Sequence, residues 1–143
     1  MAKRILVPLD RSDDAWATLP VVASMARDSG ATVRLLHVAA VPHERVTAGG
    51  RVVAFASQEM ERVEQSRLEY LDVAASQLDG VPVERVVRFG DPAEEILLEA
   101  DAFGADLIAV TARGRGWVRQ TFARVVGRLF RRSNVPLLVL ASR

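Results

Sequence analysis

Short apolar segments alternate along this chain with segments that have apolar residues at helical spacing. Continuous apolar runs of four to eight residues are typical of parallel strands buried on both faces. Apolar residues that recur every three or four positions predict amphipathic helices. This alternation over 143 residues predicts one α/β domain, in which helices cover both faces of a doubly wound parallel sheet. The expected strands are Ile5 to Leu9, Thr32 to Val38, Pro82 to Phe89, Asp106 to Thr111 and Val135 to Leu140.

Glycine and proline mark where the helices are expected to begin and end. Asp91 is expected to cap one helix, because an aspartate before a proline at the first helical position suits a helix start. The segment from Pro42 to Gly50 has no periodicity and is expected to be a loop. Three expected helices each end at a glycine: Asp13 to Ser29 before Gly30, about Ser57 to Leu78 before Gly80, and Pro92 to Phe103 before Gly104. A last expected helix contains Val118, Phe122, Val125, Val126, Leu129 and Phe130.

Composition removes several classes of function. The chain has no cysteine, which excludes disulfides, thiolate zinc sites and thiol catalysis. Half of the residues are hydrophobic and 26% are charged, as in globular domains rather than disordered chains. The apolar stretch between Arg4 and Asp10 is too short for a signal-peptide core or a membrane span, so a cytoplasmic location is expected.

Charge divides the chain unevenly. Residues 113–143 hold eight arginines and no acidic residue, whereas residues 1–112 hold 11 basic and 18 acidic residues. On the last helix, Arg124, Arg128 and Arg131 are expected to form one exposed band. Such a band needs counter-charges, which salt, the acidic body of a second subunit or a polyanion can supply. Aromatic residues do not alternate with the arginines and no recognition motif is present, so nucleic acid is not an expected partner.

Polar residues follow two strands at the edge where doubly wound sheets bind ligands. Asp10-Arg11-Ser12 follows the first strand, and residues 111–116 follow the fourth. Asp10 either contacts a ligand or caps the turn into the first helix. Arg113 and Arg115 either pair with phosphate in bidentate fashion or solvate a loop.

The remaining candidate groups do not point to catalysis. His37 lies inside an apolar strand and is expected to pack in the core rather than act as a base. His43 has no ligand pattern around it, so no metal site is predicted. Ser12 is more simply a helix cap than a nucleophile, and no set of nucleophile, base and orienting group can be assembled. The chain is therefore expected not to be an enzyme.

Five segments in order resemble the universal stress protein family over nearly the whole chain. The resemblance implies a fold like that of the adenine-nucleotide alpha hydrolases, with a five-stranded sheet in the order 3-2-1-4-5. That order would put Asp10 beside Thr111. The matching segments are Ile-Leu-Val-Pro-Leu-Asp at 5 to 10, Leu36-His37-Val38, Val87 to Ile96 with its glycine turn, Ala105 to Val110, and Val135 to Leu140.

The nucleotide-binding branch of that family has a cradle of the form Gly-x-x-Gly, nine residues, then Gly-Ser or Gly-Thr. Its glycines let backbone amides approach phosphates, and the hydroxyl adds a hydrogen bond. Here the first part reads Thr111-Ala112-Arg113-Gly114 and the last pair reads Arg124-Val125, so three of the four positions differ. The resemblance maps the nucleotide pocket onto Pro8, Leu9, Asp10, Val38, Thr111, Arg113, Gly114, Arg124 and Val125.

Three functions stay open. The leading one is a non-enzymatic stress-response or regulatory protein with a diverged ATP cradle. The second binds ATP or another adenine nucleotide, with Arg113, Arg115 and Arg124 in place of glycine amides and with slow hydrolysis or none. The third is a polyanion-binding module that uses the arginine band. Val135 to Leu140 would be an apolar sheet edge, which together with the resemblance predicts a homodimer joined there.

Overall fold

The computed structural model describes residues 2–11, 13–42, 45–46, 52–54, 56–111 and 117–140, and these form a layered α/β fold. Strands and helices alternate as the sequence predicts. In chain order the elements are β1 (Arg4–Pro8), a 3₁₀ helix (Asp13–Thr18), α1 (Leu19–Ser29), β2 (Thr32–Ala39), β3 (Arg45–Val46), β4 (Val52–Ala54), α2 (Ala56–Ala75), β5 (Val83–Phe89), α3 (Pro92–Phe103), β6 (Leu107–Thr111), α4 (Trp117–Arg132) and β7 (Leu137–Leu140).

Five parallel strands form one sheet in the order β5-β2-β1-β6-β7. Counted among these five strands alone, the order is 3-2-1-4-5, so the expected fold is confirmed. β1 lies at the centre and pairs with β2 along its whole length. It pairs with β6 on its other side, where Ile5 is opposite Leu107. The winding reverses between β1 and β6, which is where doubly wound sheets hold ligands.

Helices cover both faces of the sheet, and each face has its own apolar core. α1 and α2 pack on one face through side chains such as Leu19 and Leu71. α3 and α4 pack on the other face through side chains such as Ile96. β1 contributes Ile5 to the first core and Leu6 to the second, because successive side chains of a strand point to opposite faces. Burial on both sides explains why this strand is a continuous apolar run.

The first helical segment begins differently from the prediction of one helix over Asp13 to Ser29. Asp13–Thr18 is a 3₁₀ helix, and α1 starts only at Leu19. Pro20 accounts for the change, since proline has no N–H and its ring clashes with a carbonyl of the preceding turn. An α-helix therefore accommodates Pro20 only within its first turn.

Other boundaries also differ. α2 ends at Ala75 rather than Leu78, because residues 77 and 78 bond to carbonyls three residues back. The last strand begins at Leu137 rather than Val135, because Pro136 has no N–H for the ladder. The expected loop after residue 42 contains β3, which pairs antiparallel with β4. Strands of two and three residues are too short to show a period of two.

The helix ends agree with the predicted signals. The Asp91 side chain accepts a hydrogen bond from the amide of Glu94 at 3.0 Å and so caps α3, with Pro92 following as expected. Gly30 and Gly104 end α1 and α3 in the left-handed conformation, each with φ of +69°. Only glycine adopts that conformation at no steric cost, so these two stop signals are confirmed.

Candidate functional site

An open cleft lies at the carboxyl ends of β1 and β2, beside α2. Its volume is about 450 Å³, within the range of roughly 300 to 1,000 Å³ that is typical of small-molecule sites. Residues after both strands and two α2 side chains contribute to its wall. The lining residues are Asp10, Arg11, His37, Val38, Ala39, Ala40, Val41, Pro42, Val63 and Arg67.

Hydrogen bonds hold the end of β1 against β2. The amide of Leu9 donates to the carbonyl oxygen of Leu36 at 2.8 Å. The carbonyl oxygen of Leu9 accepts a hydrogen bond from Nδ1–H of His37, also at 2.8 Å. Both backbone groups of Leu9 are therefore bonded to β2, although β1 itself ends at Pro8. The next residue, Asp10, is exposed on the lip of the cleft.

Arg11 has an unusual backbone conformation. Its φ is +71°, which lies in the left-handed region, and no other non-glycine residue in the described part of the chain has a positive φ. A long side chain adopts this conformation only where the surroundings fix it, and such residues cluster at ligand sites. Arg11 is exposed and lines the cleft.

His37 is a packed residue, as the sequence predicted. Its exposed fraction is 6%, and it lies at the base of the cleft wall. Burial lowers the pKa of His37 below 6.5, and the positive charges of Arg67 and Arg11 act in the same direction. The imidazole is therefore neutral at pH 7. Because Nδ1 donates to a carbonyl, Nε2 is the acceptor of the ring.

Two aromatic side chains contact each other, and one of them contacts His37, which lines the cleft. Nε1 of Trp16 donates to the hydroxyl of Tyr70 at 2.9 Å, and the two rings lie 6.1 Å apart. The Tyr70 ring also meets His37 edge-on, with ring centroids 6.2 Å apart. Burial raises the pKa of Tyr70, so its hydroxyl stays protonated at neutral pH. The 3₁₀ helix and α2 are thus joined through polar ends of otherwise apolar rings.

Arg67 extends from α2 into the cleft wall, and none of the carboxylates in the described part of the chain pairs with it. Among those residues, its buried Nε has no hydrogen-bond partner, and its Nη1 makes a long contact of 3.5 Å to the hydroxyl of Ser66. Burial and the nearby charge of Arg11 both lower the pKa of Arg67 from its usual value. Among the described residues that line this cleft, Arg11 and Arg67 are cations and Asp10 is a carboxylate.

The nine residues that the resemblance mapped onto a nucleotide pocket fall into separate places. Asp10 and Val38 meet in the cleft lining. Pro8 and Leu9 are buried at the end of β1. Thr111 is buried at the end of β6, and continuing the pairing of Ile5 with Leu107 places it opposite Leu9. On α4, Arg124 is exposed and Val125 packs against the α3 and α4 core. Arg113, Gly114 and Arg115 lie outside the described residues.

Sequence reasoning did not find Arg67. The residue stands among many charged side chains on α2, so it reads as part of a solvated face. A signal was nevertheless available, because Val63, Arg67 and Leu71 are four residues apart and lie on one helix face. Val63 lines the cleft and Leu71 is fully buried, so an arginine between them is directed toward the sheet rather than solvent.

The arginine band on α4 finds a counter-charge within the chain. Nη1 of Arg128 lies 3.0 and 2.9 Å from the two carboxylate oxygens of Asp91, and Nη2 lies 4.0 Å from Glu94. Arg124, Arg131 and Arg132 are exposed. One member of the predicted band is therefore paired with the start of α3, without a polyanion or a second subunit.

Two kinds of feature are absent from the part of the chain that the structure describes. No three histidine, cysteine or acidic side chains come together there in a way that could hold a metal ion. None of the described helices is both long enough and apolar enough to cross a membrane.

Known sequences match this chain over nearly its whole length. The sequence pattern of the Universal stress protein family matches residues 1–141. Universal stress protein YxiE of Bacillus subtilis (strain 168) is 29% identical over 147 residues, which cover 98% of this chain and 99% of YxiE.

Solved structures have the same fold. The hypothetical protein MJ0577 superposes with a TM-score of 0.80 at 24% identity, over 99% of this chain and 96% of that one. A universal stress protein from Archaeoglobus fulgidus, solved in complex with dAMP, has a TM-score of 0.66 at 22% identity, over 96% of each chain. At these identities the likeness shows the fold alone.

Proposed function

The chain belongs to the universal stress protein family, and we propose that it is a cytoplasmic, non-enzymatic regulatory member whose ATP cradle no longer holds a triphosphate. It would respond to stress through the binding of partners or small ligands rather than through turnover of ATP. The resemblance defines the cradle pattern, and the residues that differ from this pattern on α4 are Arg124 and Val125. These differences are the reason to propose that the cradle does not hold a triphosphate.

The observation behind this proposal is the packing of Val125. In the cradle pattern this position has a hydroxyl that bonds to phosphate. Here it is a valine whose side chain packs against the core formed by α3 and α4. Valine offers no donor, and this half-buried side chain packs against the core where the pattern has a hydroxyl. Arg124 adds bulk at the position where the pattern has glycine for close backbone approach.

The hydrogen bonds of His37 support a non-enzymatic role. Among the described residues, His37 is hydrogen-bonded to the Leu9 carbonyl and to no hydroxyl group. A base that activates a serine or threonine must be within hydrogen-bond reach of it. Within the described residues, the cleft therefore presents charge and shape for binding and no paired nucleophile and base.

Isothermal titration with ATP, ADP and AMP tests the proposal, after the purified protein has been checked for bound nucleotide. We expect no heat with ATP at millimolar concentration. The matched variant combines Arg124→Gly with Val125→Ser, which rebuilds the cradle pair, and it should gain affinity for ATP if its thermal unfolding shows that it still folds. Micromolar binding of ATP by the unchanged protein, lost in Asp10→Ala, would refute the proposal.

A second candidate is binding of an adenine nucleotide with arginines in place of glycine amides. Asp10 and Val38 line a cleft of suitable volume, and the Archaeoglobus fulgidus relative was solved with dAMP. In that case Arg113, Arg115 and Arg124 would pair with phosphate. The same titration distinguishes the two candidates, because this one requires measurable heat with ATP, ADP or AMP.

The polyanion-binding alternative has less support. Arg128 is already paired with Asp91 and Glu94, which reduces the free charge of the α4 band. This alternative requires that the protein binds heparin or another polyanion, with an affinity that falls steeply between low and physiological salt.

A further inference from the structure

We propose that Tyr70 is a positioning residue for the lip of the cleft, residues 9–11, and that its hydroxyl group holds Arg11 in the left-handed conformation. The lip contains Asp10, so Tyr70 sets the place of that carboxylate from α2, behind the residues that line the cleft. This inference goes beyond the proposed function. It concerns how the lip is held, and it stands whether or not an adenine nucleotide binds.

The first support is the set of hydrogen bonds at the Tyr70 hydroxyl. Nε1–H of Trp16 donates to it at 2.9 Å. Burial raises the pKa of Tyr70, and hydrogen bonds from Trp16 and from the backbone of Arg11 act in the opposite direction. A bond that lowers the pKa of a phenol is one donated to its oxygen, and the amide is the backbone's donor. The Arg11 amide and the Trp16 indole therefore use both acceptor positions of the hydroxyl.

The second support is the strain at Arg11. Its φ of +71° is the only positive value among the non-glycine residues that the structure describes. An L-residue with a long side chain keeps this conformation where neighbouring groups over-determine it. Arg11 lies beyond the end of β1 at Pro8, so the strand ladder does not hold it. The bond to Tyr70 supplies a fixed contact at this position.

The third support is that the other end of the lip is held in a similar way. The carbonyl oxygen of Leu9 accepts from Nδ1–H of His37 at 2.8 Å. The His37 and Tyr70 rings meet edge-on, with centroids 6.2 Å apart. One residue on each side of Asp10 is thus bonded to a side chain of a different element, His37 on β2 and Tyr70 on α2. The backbone of Asp10 is fixed from both sides as a result.

The hydroxyl group, rather than the ring, carries this role. The Trp16 and Tyr70 rings both pack against the core beneath α1 and α2, and a phenylalanine fills nearly the same space as a tyrosine. It has no acceptor, however, so the indole of Trp16 and the amide of Arg11 would both lose their partner. Burial of donors without an acceptor is unfavourable, and the lip then gains by leaving the left-handed conformation.

Amide hydrogen exchange followed by ¹H–¹⁵N NMR tests the proposal. In the unchanged protein, the Arg11 amide should exchange more slowly than in an unstructured peptide. Tyr70→Phe removes the acceptor and should speed exchange of this amide by roughly fivefold or more. The amide of Leu9, which donates to Leu36, is the internal control and should keep its rate.

The matched control variant is Glu69→Gln, at an exposed neighbouring position on α2, and it should leave both exchange rates unchanged. Equal exchange of the Arg11 amide in the unchanged protein and in Tyr70→Phe would overturn the proposal. So would a rise of equal size at Leu9 and Arg11, because it would show a general loss of stability rather than release of the lip.

A double-mutant cycle separates positioning from packing. Glycine adopts a positive φ at no steric cost, so Arg11→Gly relieves the strain that Tyr70 maintains. The change in unfolding temperature caused by Arg11→Gly should therefore be more favourable in the unchanged protein than in Tyr70→Phe, where the lip is already free to relax. Additive changes would mean that Tyr70 only packs, and they would contradict the proposal.

The outcomes separate this inference from the proposed function, because exchange and unfolding are measured without nucleotide. Micromolar ATP binding by the unchanged protein, together with faster exchange at Arg11 in Tyr70→Phe, would refute the proposed function and leave the inference intact. The absence of ATP heat, together with an unchanged exchange rate at Arg11, would do the reverse.

Discussion

Nδ1–H of His37 donates a hydrogen bond to the carbonyl oxygen of Leu9 across 2.8 Å. The bond joins the residue that follows β1 to its neighbour β2 near the carboxyl end of that strand, where His37 lines the cleft. It also fixes the ring tautomer, with the proton on Nδ1. A histidine that looks like an ordinary core residue in the sequence therefore helps to hold the lip on which Asp10 stands.

His37 is predicted to titrate below 6.5, its ordinary pKa, because burial disfavours the charged ring. The unfolded chain then takes up a proton at higher pH than the folded chain. Stability should fall as the pH drops below about 6.5 and level off below the folded pKa. NMR titration of the imidazole measures the pKa of His37 in the folded protein, and His37→Gln assigns the signal. A pKa at or above 6.5 would contradict the burial argument.

Asp91 is predicted to stabilise the protein mainly as a helix cap. It accepts from the amide of Glu94 and pairs with Arg128. Asp91→Ala should lower the free energy of unfolding by about 0.5 to 2 kcal/mol, whereas Arg128→Met should cost at most about 1 kcal/mol, because the pair is exposed. Urea denaturation compares the two. A larger loss for Arg128→Met would make the ion pair, rather than the cap, the main contribution.

The same carboxylate gives a pH dependence of its own, which lies at lower pH than that of His37. The amide of Glu94 is the largest cause that lowers the pKa of Asp91 from 3.8. Its contribution to stability is therefore present above the unfolded pKa and is lost as the pH falls through the folded pKa. Asp91→Asn, which keeps a capping oxygen, should remove this acid-dependent part in urea denaturation at several pH values.

The sequence predicted the fold because its signals are local and agree with one another. The apolar run from Ile5 is continuous because β1 is buried on both faces, and Asp91 and Gly104 mark the ends of α3 by backbone geometry alone. The predicted element boundaries were wrong where a proline lay inside a segment that the apolar pattern assigned to one helix or strand. Pro20 moved the start of α1, and Pro136 moved the start of β7.

Only part of the cleft could be predicted from the sequence. Asp10 follows a strand, so it was expected at the edge of the sheet where ligands bind. Arg67 lines the same cleft but lies on a helix, 57 positions later in the chain. No short-range pattern reports that two such residues meet. The packing of α2 on the sheet decides it, and packing depends on the whole core. The same reason explains why the pairing of Arg128 with Asp91 was not foreseen.

Glu99 is predicted to be important for packing of α3 on the sheet. It is almost fully buried, and Arg34 and Arg88 approach its carboxylate at 3.5 and 3.4 Å. Glu99→Gln would leave both guanidinium groups without their shared charge and should cost about 1.5 to 3 kcal/mol, the range for hydrogen bonds to charged groups. Asp101→Asn, at an exposed position on the same helix, is the control and should change stability by less than about 0.5 kcal/mol. Equal losses of stability for the two variants in thermal unfolding would mean that the ion pairs of Glu99 with Arg34 and Arg88 do not stabilise the fold.

β7 is predicted to join two copies of the chain, as the apolar segment Val135 to Leu140 suggested. It lies at one edge of the sheet, where unpaired backbone groups invite another strand. Val139 faces outward with 39% of its surface exposed, whereas Leu138 packs against the core, so Val139→Lys perturbs the edge with less risk to the fold. Sedimentation should give a dimer for the unchanged protein and a monomer for Val139→Lys. The control is Val73→Lys, at an apolar position on α2 that is 57% exposed, and it should remain dimeric. If Val139→Lys keeps the mass of the unchanged protein while its unfolding temperature is normal, the edge strand is not the interface.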